Sequence, residues 1–336
     1  MTGLHRAPGQ HRAVLAETIT PLPPERRPQP GPIALLPRPN QEFIDAVEAG
    51  GGVVEEVSEN TRGLLWLSYS RPNELADVLH ENPQIGWVQL PLAGVDAYAD
   101  VLRSQARPGL LWTSAKGAYA EPVAEHALVL TLALLRMIPK RVRATSWSTV
   151  PEGRSLYGLN VVIIGAGGIA REMLRLLAPF DTHVTIVRRS AEPVAGAART
   201  VHSDALADVL PDADVVIVAA ALVEGTTRLI GKRELGLMKP TAYLVNIARG
   251  GLVDSDALVD ALASGEIAGA GIDVTDPEPL PDAHPLWSEP NCIITPHAAD
   301  TPEMTAPLLA ERIRLNVEAF LGDGRFIGIV DPESGY

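Results

Sequence analysis

Residues 161–170 read Val161-Val162-Ile163-Ile164-Gly165-Ala166-Gly167-Gly168-Ile169-Ala170. Four β-branched apolar residues in a row read as a strand buried on both faces. The residues that follow form G-x-G-x-x-A. Gly165 permits a tight turn, and Gly167 lets the backbone approach a pyrophosphate. The third position needs a small side chain for helix–strand packing, and Ala170 satisfies it. Backbone N–H groups at the start of the next helix would then face phosphates. Strand, turn and helix in this order predict a dinucleotide-binding turn. The plainer alternative is a glycine-rich βα turn that holds no ligand.

The next predicted strand, Val184 to Val187, bears on which dinucleotide. NAD sites usually carry an acid about 20 residues beyond the turn, on the ribose 2′-hydroxyl. Here Arg188, Arg189 and Ser190 stand at the carboxyl end of that strand, and Asp181 lies at its other end. Arginine matches a 2′-phosphate with two parallel hydrogen bonds. The sequence therefore predicts NADP in preference to NAD. The alternative is a solvated basic loop, with NAD held through other contacts.

Outward from the turn, apolar runs alternate with helical stretches in both directions. Upstream, Ile33 to Leu36, Gly63 to Leu67 and Trp87 to Leu90 read as strands. Glu42 to Ala49 and Asn73 to Leu79 read as helices between them. This βαβ rhythm predicts a parallel sheet. Glu121 to Arg136 is a long apolar helix with Pro122 in its first turn, and Arg141 to Tyr157 reads as a polar crossing. Downstream, strands are expected at Val215 to Ala219, Tyr243 to Asn246, Ala268 to Val274 and Cys292 to Ile294. Helices are expected at Ile169 to Leu177, at Asp256 to Ala263 and from Thr301 to about Phe320. The first 30 residues, rich in Pro and Arg, read as a disordered or loosely attached arm.

The chain has 336 residues, 46% of them hydrophobic and 21% charged, enough for two domains with sizeable cores. Its formal net charge of −13 argues against nucleic acid and anionic lipid as partners. Cys292 is the only cysteine, so no internal disulfide forms, which fits a reducing compartment. No apolar stretch is long enough to span a bilayer, and the N-terminus lacks the apolar core of a signal peptide. A cytoplasmic protein without a metal site is expected.

Three segments beyond the turn carry polar groups at predicted strand ends: Asn246-Ile247-Ala248-Arg249-Gly250-Gly251, Asp273-Val274-Thr275-Asp276-Pro277-Glu278-Pro279-Leu280 and Thr295-Pro296-His297. In a doubly wound sheet these ends open on one crevice. Reducing a 2-oxo acid needs a proton for the developing alkoxide, and His297 could supply it near neutral pH. A carboxylate neighbour favours a protonated imidazole, a part that suits Glu278. A planar cation would hold the substrate carboxylate and polarise the carbonyl, a part that suits Arg249. Taken singly, each is more simply a turn or loop residue. Their joint occurrence carries the reading.

At these motifs the chain resembles the D-isomer-specific 2-hydroxyacid dehydrogenases, from Ile33 onward. Asn246 to Asp254 matches the family pattern N-x-A-R-G-x-x-V-D, and Gly269 to Val274, Glu278-Pro279-Leu280 and Thr295-Pro296-His297 match its later signatures. The resemblance implies two Rossmann-like domains with parallel, doubly wound sheets. The dinucleotide domain (122–298) would be inserted in a substrate-binding domain (31–121 and 299–336). It implies that Arg249, Glu278 and His297 are catalytic, and that Asp273 contacts the nicotinamide carboxamide. Thr226 and Ile247 would line the cofactor cleft, and Gly168 and Ile169 would lie on the pyrophosphate. Leu92-Ala93-Gly94-Val95-Asp96 looks like the loop whose amides bind the substrate carboxylate, which points to Ala93 and Gly94. A homodimer is implied as well.

Some positions depart from the family. Ala221 stands where many members have proline, Arg188 where NAD-using members have aspartate, and Glu278 speaks against the formate dehydrogenase branch. The chain ends soon after its last predicted helix, so the C-terminal regulatory domains of long phosphoglycerate dehydrogenases are not expected. The resemblance implies a reductase of glyoxylate or hydroxypyruvate type. The alternatives are a short phosphoglycerate or D-lactate-type enzyme, or a dinucleotide-sensing corepressor. Tyr119, Trp66 and Trp287 could line a substrate pocket, although packing explains each of them more simply.

Overall fold

The computed structural model describes residues 11–12, 19 and 21–333. The chain folds as two compact units. One is Met1–Ala120 with Thr301–Tyr336, and the other is Glu121–Asp300.

In the first unit, β1 (Ile33–Leu36), β2 (Gly63–Trp66), β3 (Trp87–Gln89) and β4 (Leu111–Thr113) form a parallel sheet in sequence order. On the other side of β1, Ile33 bridges Val54 in parallel, with Ile33 N–H donating to Val53 O and Glu55 N–H to Ile33 O. The chain therefore steps outward from β1 and then back past it to β2. This reversal makes the sheet doubly wound. Its strands are buried along nearly their whole length, as in a parallel sheet covered on both faces. The last long helix, Pro302–Leu321, packs on helix Gln41–Ala49.

Of the expected arm, residues 1–10, 13–18 and 20 lie outside the described residues. Pro21 to Pro30 differ from the expectation. Leu22 N–H donates to Gly324 O, Arg27 Nε donates to Leu22 O, and Leu22 and Pro28 are buried. A single leucine and the Nε–H of one arginine tie down a segment whose composition reads as loose.

The second unit is built on seven parallel strands: β5 (Asn160–Ile164), β6 (His183–Arg188), β7 (Arg199–His202), β8 (Val215–Val218), β9 (Tyr243–Asn246), β10 (Gly269–Ile272) and β11 (Cys292–Ile294). Their spatial order is β11-β10-β9-β8-β5-β6-β7. The order reverses between β5 and β8, so the switch-point crevice opens beyond Ile164 and Val218. The register aligns Ile294, Ile272, Asn246, Val218, Ile164, Val187 and Val201 in one row across the sheet. Strand β7 is absent from the sequence expectation, because Arg-Thr-Val-His carries too little apolar signal and lies at an edge.

Among the described residues no helix is long and apolar enough to cross a membrane. No group of three or more His, Cys, Asp or Glu residues among them is arranged to hold a metal.

Candidate active site at the carboxyl ends of the second sheet

The first residues beyond the aligned row are Thr295, Asp273, Ile247, Ala219, Gly165, Arg188 and His202. Four of these, Asp273, Ile247, Gly165 and Arg188, are positions the sequence singles out. The strand register thus delivers both ends of the expected site to one edge of the sheet.

At the switch point, Gly165 has φ of +118°, a region closed to side chains. A Cβ there would stand 2.4 Å from Ala219 O on the neighbouring strand connection. Helix Gly168–Leu177 starts immediately beyond, with Gly167 as N-cap and no side chain capping its first N–H groups. Those donors are the ones an α-helix cannot satisfy internally. A bare helix start behind a glycine cradle fits a pyrophosphate. Two residues beyond the end of β6, Ser190 Oγ is buried and has no hydrogen-bond partner. An orphaned buried hydroxyl is uncommon, and a bound group would satisfy it. Arg188 stands two residues before it, with its guanidinium 3.9 Å from Glu192.

The Asn246–Asp254 loop shows why its motif residues are needed. Asn246 is buried and brackets the turn: its Nδ2 donates to Arg249 O, and its Oδ1 accepts from Ala248 N–H. Arg249 is half-buried, and one of its terminal nitrogens donates to Ala248 O at 2.8 Å. Asp254 caps helix Ser255–Ser264 by accepting from Ala257 N–H. Gly250 is packed so closely on the next loop that a Cβ would overlap Thr275 C and O at 1.9 Å. This contact joins the loop of Arg249 to the loop that leads to Glu278.

His297 and Glu278 are brought together directly. His297 Nδ1 lies 2.6 Å from Glu278 Oε1, with the side chains 53% and 42% exposed. An ionised carboxylate only accepts, so Nδ1 carries a proton in either ring state, and Nε2 is the nitrogen that gains or gives up the second one. The His297 backbone is left-handed, with φ of +49°. Its N–H donates to Asp273 O and Thr295 O.

Asp273 is 2% exposed. Its Oδ1 accepts from Thr295 Oγ1 at 2.6 Å and from Ala298 N–H at 2.9 Å, and its Oδ2 accepts from Ala299 N–H at 3.2 Å. The carboxylate therefore binds the loop that carries His297. The structure also brings in two residues that the sequence reading missed. His126, on helix Ala120–Leu135, reaches Thr295 Oγ1 at 2.9 Å. Nothing marks it in an apolar helix except its polarity. The carboxyl of Asp300 is pushed above the usual range by burial. His297 draws it back down, and Asp273 adds to the rise.

The remaining expected residues fall as follows. Thr226 Oγ1 closes its own turn, donating toward Ala221 O and accepting from Val223 N–H. Ile247 is buried. In the first unit, Ala93 and Gly94 lie in an irregular loop, and no described acceptor takes either N–H. Tyr119 is buried and tethers that loop by donating to Pro91 O. Trp66 is core, donating to Tyr98 Oη, and Trp287 lies at the surface, donating to Pro281 O.

A nucleotide-binding turn and, along the same sheet edge, a paired imidazole and carboxylate are the parts of a dinucleotide-dependent oxidoreductase. Residues 127–299 match the family described as "D-isomer specific 2-hydroxyacid dehydrogenase, NAD binding domain". The chain belongs to the D-isomer specific 2-hydroxyacid dehydrogenase family and is an NAD(P)-dependent oxidoreductase. It is 41% identical over 304 residues to an "Uncharacterized protein in proB 3'region" of Corynebacterium melassecola, covering 88% of this chain and 97% of that protein. It is 35% identical over 225 residues to a glyoxylate reductase of Pyrococcus furiosus, covering 64% of this chain and 67% of that one. Among solved structures, a D-isomer specific 2-hydroxyacid dehydrogenase of Xanthobacter autotrophicus, in complex with NADPH and MES, superposes with a TM-score of 0.79. That pair is 27% identical, with 91% of this chain and 99% of the other covered.

Proposed function

We propose that this protein reduces a small 2-oxo acid of the glyoxylate or hydroxypyruvate type to the D-2-hydroxy acid. The observation that carries the reading is the 2.6 Å contact of His297 Nδ1 with Glu278 Oε1 beyond the strand row. When bound, the nicotinamide supplies a hydride to the carbonyl carbon. His297 Nε2 gives its proton to the oxygen that becomes the hydroxyl, and Glu278 holds the ring in that orientation. Arg249 pairs with the substrate carboxylate and polarises the carbonyl. The N–H groups of Ala93 and Gly94, untaken by any described acceptor, suit a carboxylate as well. Asp273 acts from beneath by fixing the His297 loop.

For the cofactor we propose NADPH in preference to NADH. The orphaned Ser190 Oγ and the Arg188-Arg189 pair, with no acid among them, support this reading. We further propose a cytoplasmic homodimer. Exposed apolar side chains gather between Val129 and Tyr157, among them Val142, Val150 and Trp147, the last 93% exposed. Such a run suits burial against a second copy.

The test is loss of NADPH and NADH absorbance with glyoxylate, hydroxypyruvate, pyruvate and branched 2-oxo acids. Turnover of the first two with a lower KM for NADPH is expected. A clear NADH preference would overturn the cofactor reading, and no turnover with any acid would leave a dinucleotide-sensing binding protein. Light scattering at several concentrations reads the dimer.

A further inference from the structure

The reaction outlined above gives His126 no task. His126 Nε2 lies 2.9 Å from Thr295 Oγ1, which lies 2.6 Å from Asp273 Oδ1. The ring is 19% exposed and also stands 3.5 Å from Asp273 Oδ1. The protons in this chain can be assigned by counting. A threonine hydroxyl has one hydrogen, and an ionised carboxylate can only accept. The hydroxyl hydrogen therefore goes to Asp273, and a lone pair of Oγ1 faces His126. The Nε2 of His126 must then carry a hydrogen. It does so in both the imidazolium and one neutral tautomer. Donation runs one way, from His126 to Thr295 to Asp273.

The end of that chain is the strained residue. A non-glycine residue in the left-handed region is strained and persists only where its surroundings over-determine it. At His297 those surroundings are Asp273 O on the His297 N–H and the Asp273 carboxylate on the N–H groups of Ala298 and Ala299. Both oxygens of that carboxylate must point correctly at once. The Thr295 hydroxyl shares Oδ1 with Ala298 N–H, and His126 faces the lone pair of that hydroxyl.

We propose that His126 is a positioning residue for the acid–base histidine: through Thr295 and Asp273 it fixes the left-handed backbone of His297 and hence the direction of its imidazole. The proposal rests on the reading of His297 as the proton donor. With the Nε2–H removed, the Thr295 hydroxyl can turn and the carboxylate can swing from Ala299 N–H. His297 then relaxes without leaving the site. Small displacements of a reacting group cost up to about a hundredfold in rate.

The experiment compares His126→Leu, His126→Gln, Thr295→Val, Thr295→Ser and the double variant His126→Leu/Thr295→Val, using NADPH and the best-turned-over oxo acid of the panel. His126→Leu and Thr295→Val should each lower kcat by about ten- to a hundredfold, with KM for NADPH within about twofold. Glutamine, which keeps an N–H at similar reach, and serine, which keeps the hydroxyl, should restore most of the rate. The double variant should be no slower than the slower single one, because both act on one chain. Nitrogen NMR of the cofactor-free protein should find a proton on His126 Nε2. Full kcat in His126→Leu, multiplying losses in the double variant, or a bare Nε2 would each overturn the proposal. His297→Ala keeps the two ideas apart. If it turns over normally, the acid–base reading fails; if it is slow while His126→Leu is fast, only the positioning role fails.

Discussion

His297 Nδ1 and Glu278 Oε1 meet at 2.6 Å although they stand on loops after different strands, β11 and β10. The contact fixes which nitrogen of the ring is available. Replacing His297 with alanine should lower kcat by about two to four orders of magnitude, the range for loss of a general acid. Glu278→Gln should give a smaller loss, because the ring remains but its orientation and tautomer are no longer imposed. Steady-state kinetics of both variants check this; near-normal turnover of His297→Ala would remove it from the mechanism.

Arg249 has a different signature. Its alanine variant should bind dinucleotide as the unaltered protein does but saturate poorly with oxo acid, since the lost group pairs with the substrate carboxylate. Separate titrations of cofactor fluorescence and substrate dependence distinguish the two. Unchanged substrate saturation would contradict the role.

Gly250 leaves no room for a side chain. The clash of a Cβ is with backbone atoms of Thr275 rather than with a flexible side chain. Gly250→Ala should destabilise by about 3 kcal/mol or more, as forced overpacking does. The loops of Arg249 and Glu278 should part at the same time, so activity should fall even below the unfolding temperature. Thermal melts and kinetics on the same sample test both parts.

Two carboxyls should respond oppositely to pH. Burial pushes Asp214 up, but the Arg154 hydrogen bond, the Asn160 amide and Lys239 together outweigh it and hold its pKa below the ordinary 3.8. A depressed folded value means stability present above pH 3.8 and lost as pH falls through the lowered value. Asp214→Asn should therefore cost stability at neutral pH, with the deficit shrinking in acid. Asp300 is raised instead, chiefly by burial. Its charge opposes folding above the raised value, so Asp300→Asn should stabilise at neutral pH and lose that advantage in acid. Melting temperatures across the acid range read both signs.

The Cys292 thiol is pushed up to about 12, mostly by burial, with Glu289 adding to the rise and Arg143 opposing it. The thiolate is the reactive form. The folded protein should resist thiol-labelling reagents at pH 8 and react fully in denaturant. Rapid labelling of the native protein would contradict this.

Much of this could be read from the sequence because buried parallel strands are written as unbroken apolar runs. Val161 to Ile164, Val215 to Val218 and Tyr243 to Val245 are of that kind, and the glycine turn fixes where the crevice begins. The Glu278–His297 pair was legible because each follows such a strand. His126 was not, since a polar residue in an apolar helix gives no hint of which strand end it will meet. Nor was the buried state of Asp273, which depends on the loop after β11 folding back over β10. Pro21 to Pro30 misled because proline-rich composition reports the lack of regular structure, not the lack of attachment.

The level strand ends of the second sheet set how such a protein can change. A residue inserted after Thr301 or within a surface turn leaves Ile294, Ile272 and Asn246 abreast. A residue gained or lost inside Cys292–Ile294 would exchange the two faces of the strand and carry His297 away from Glu278. Length variation among natural variants should therefore collect in the surface connections, while the number of residues between the sheet and its histidine stays constant.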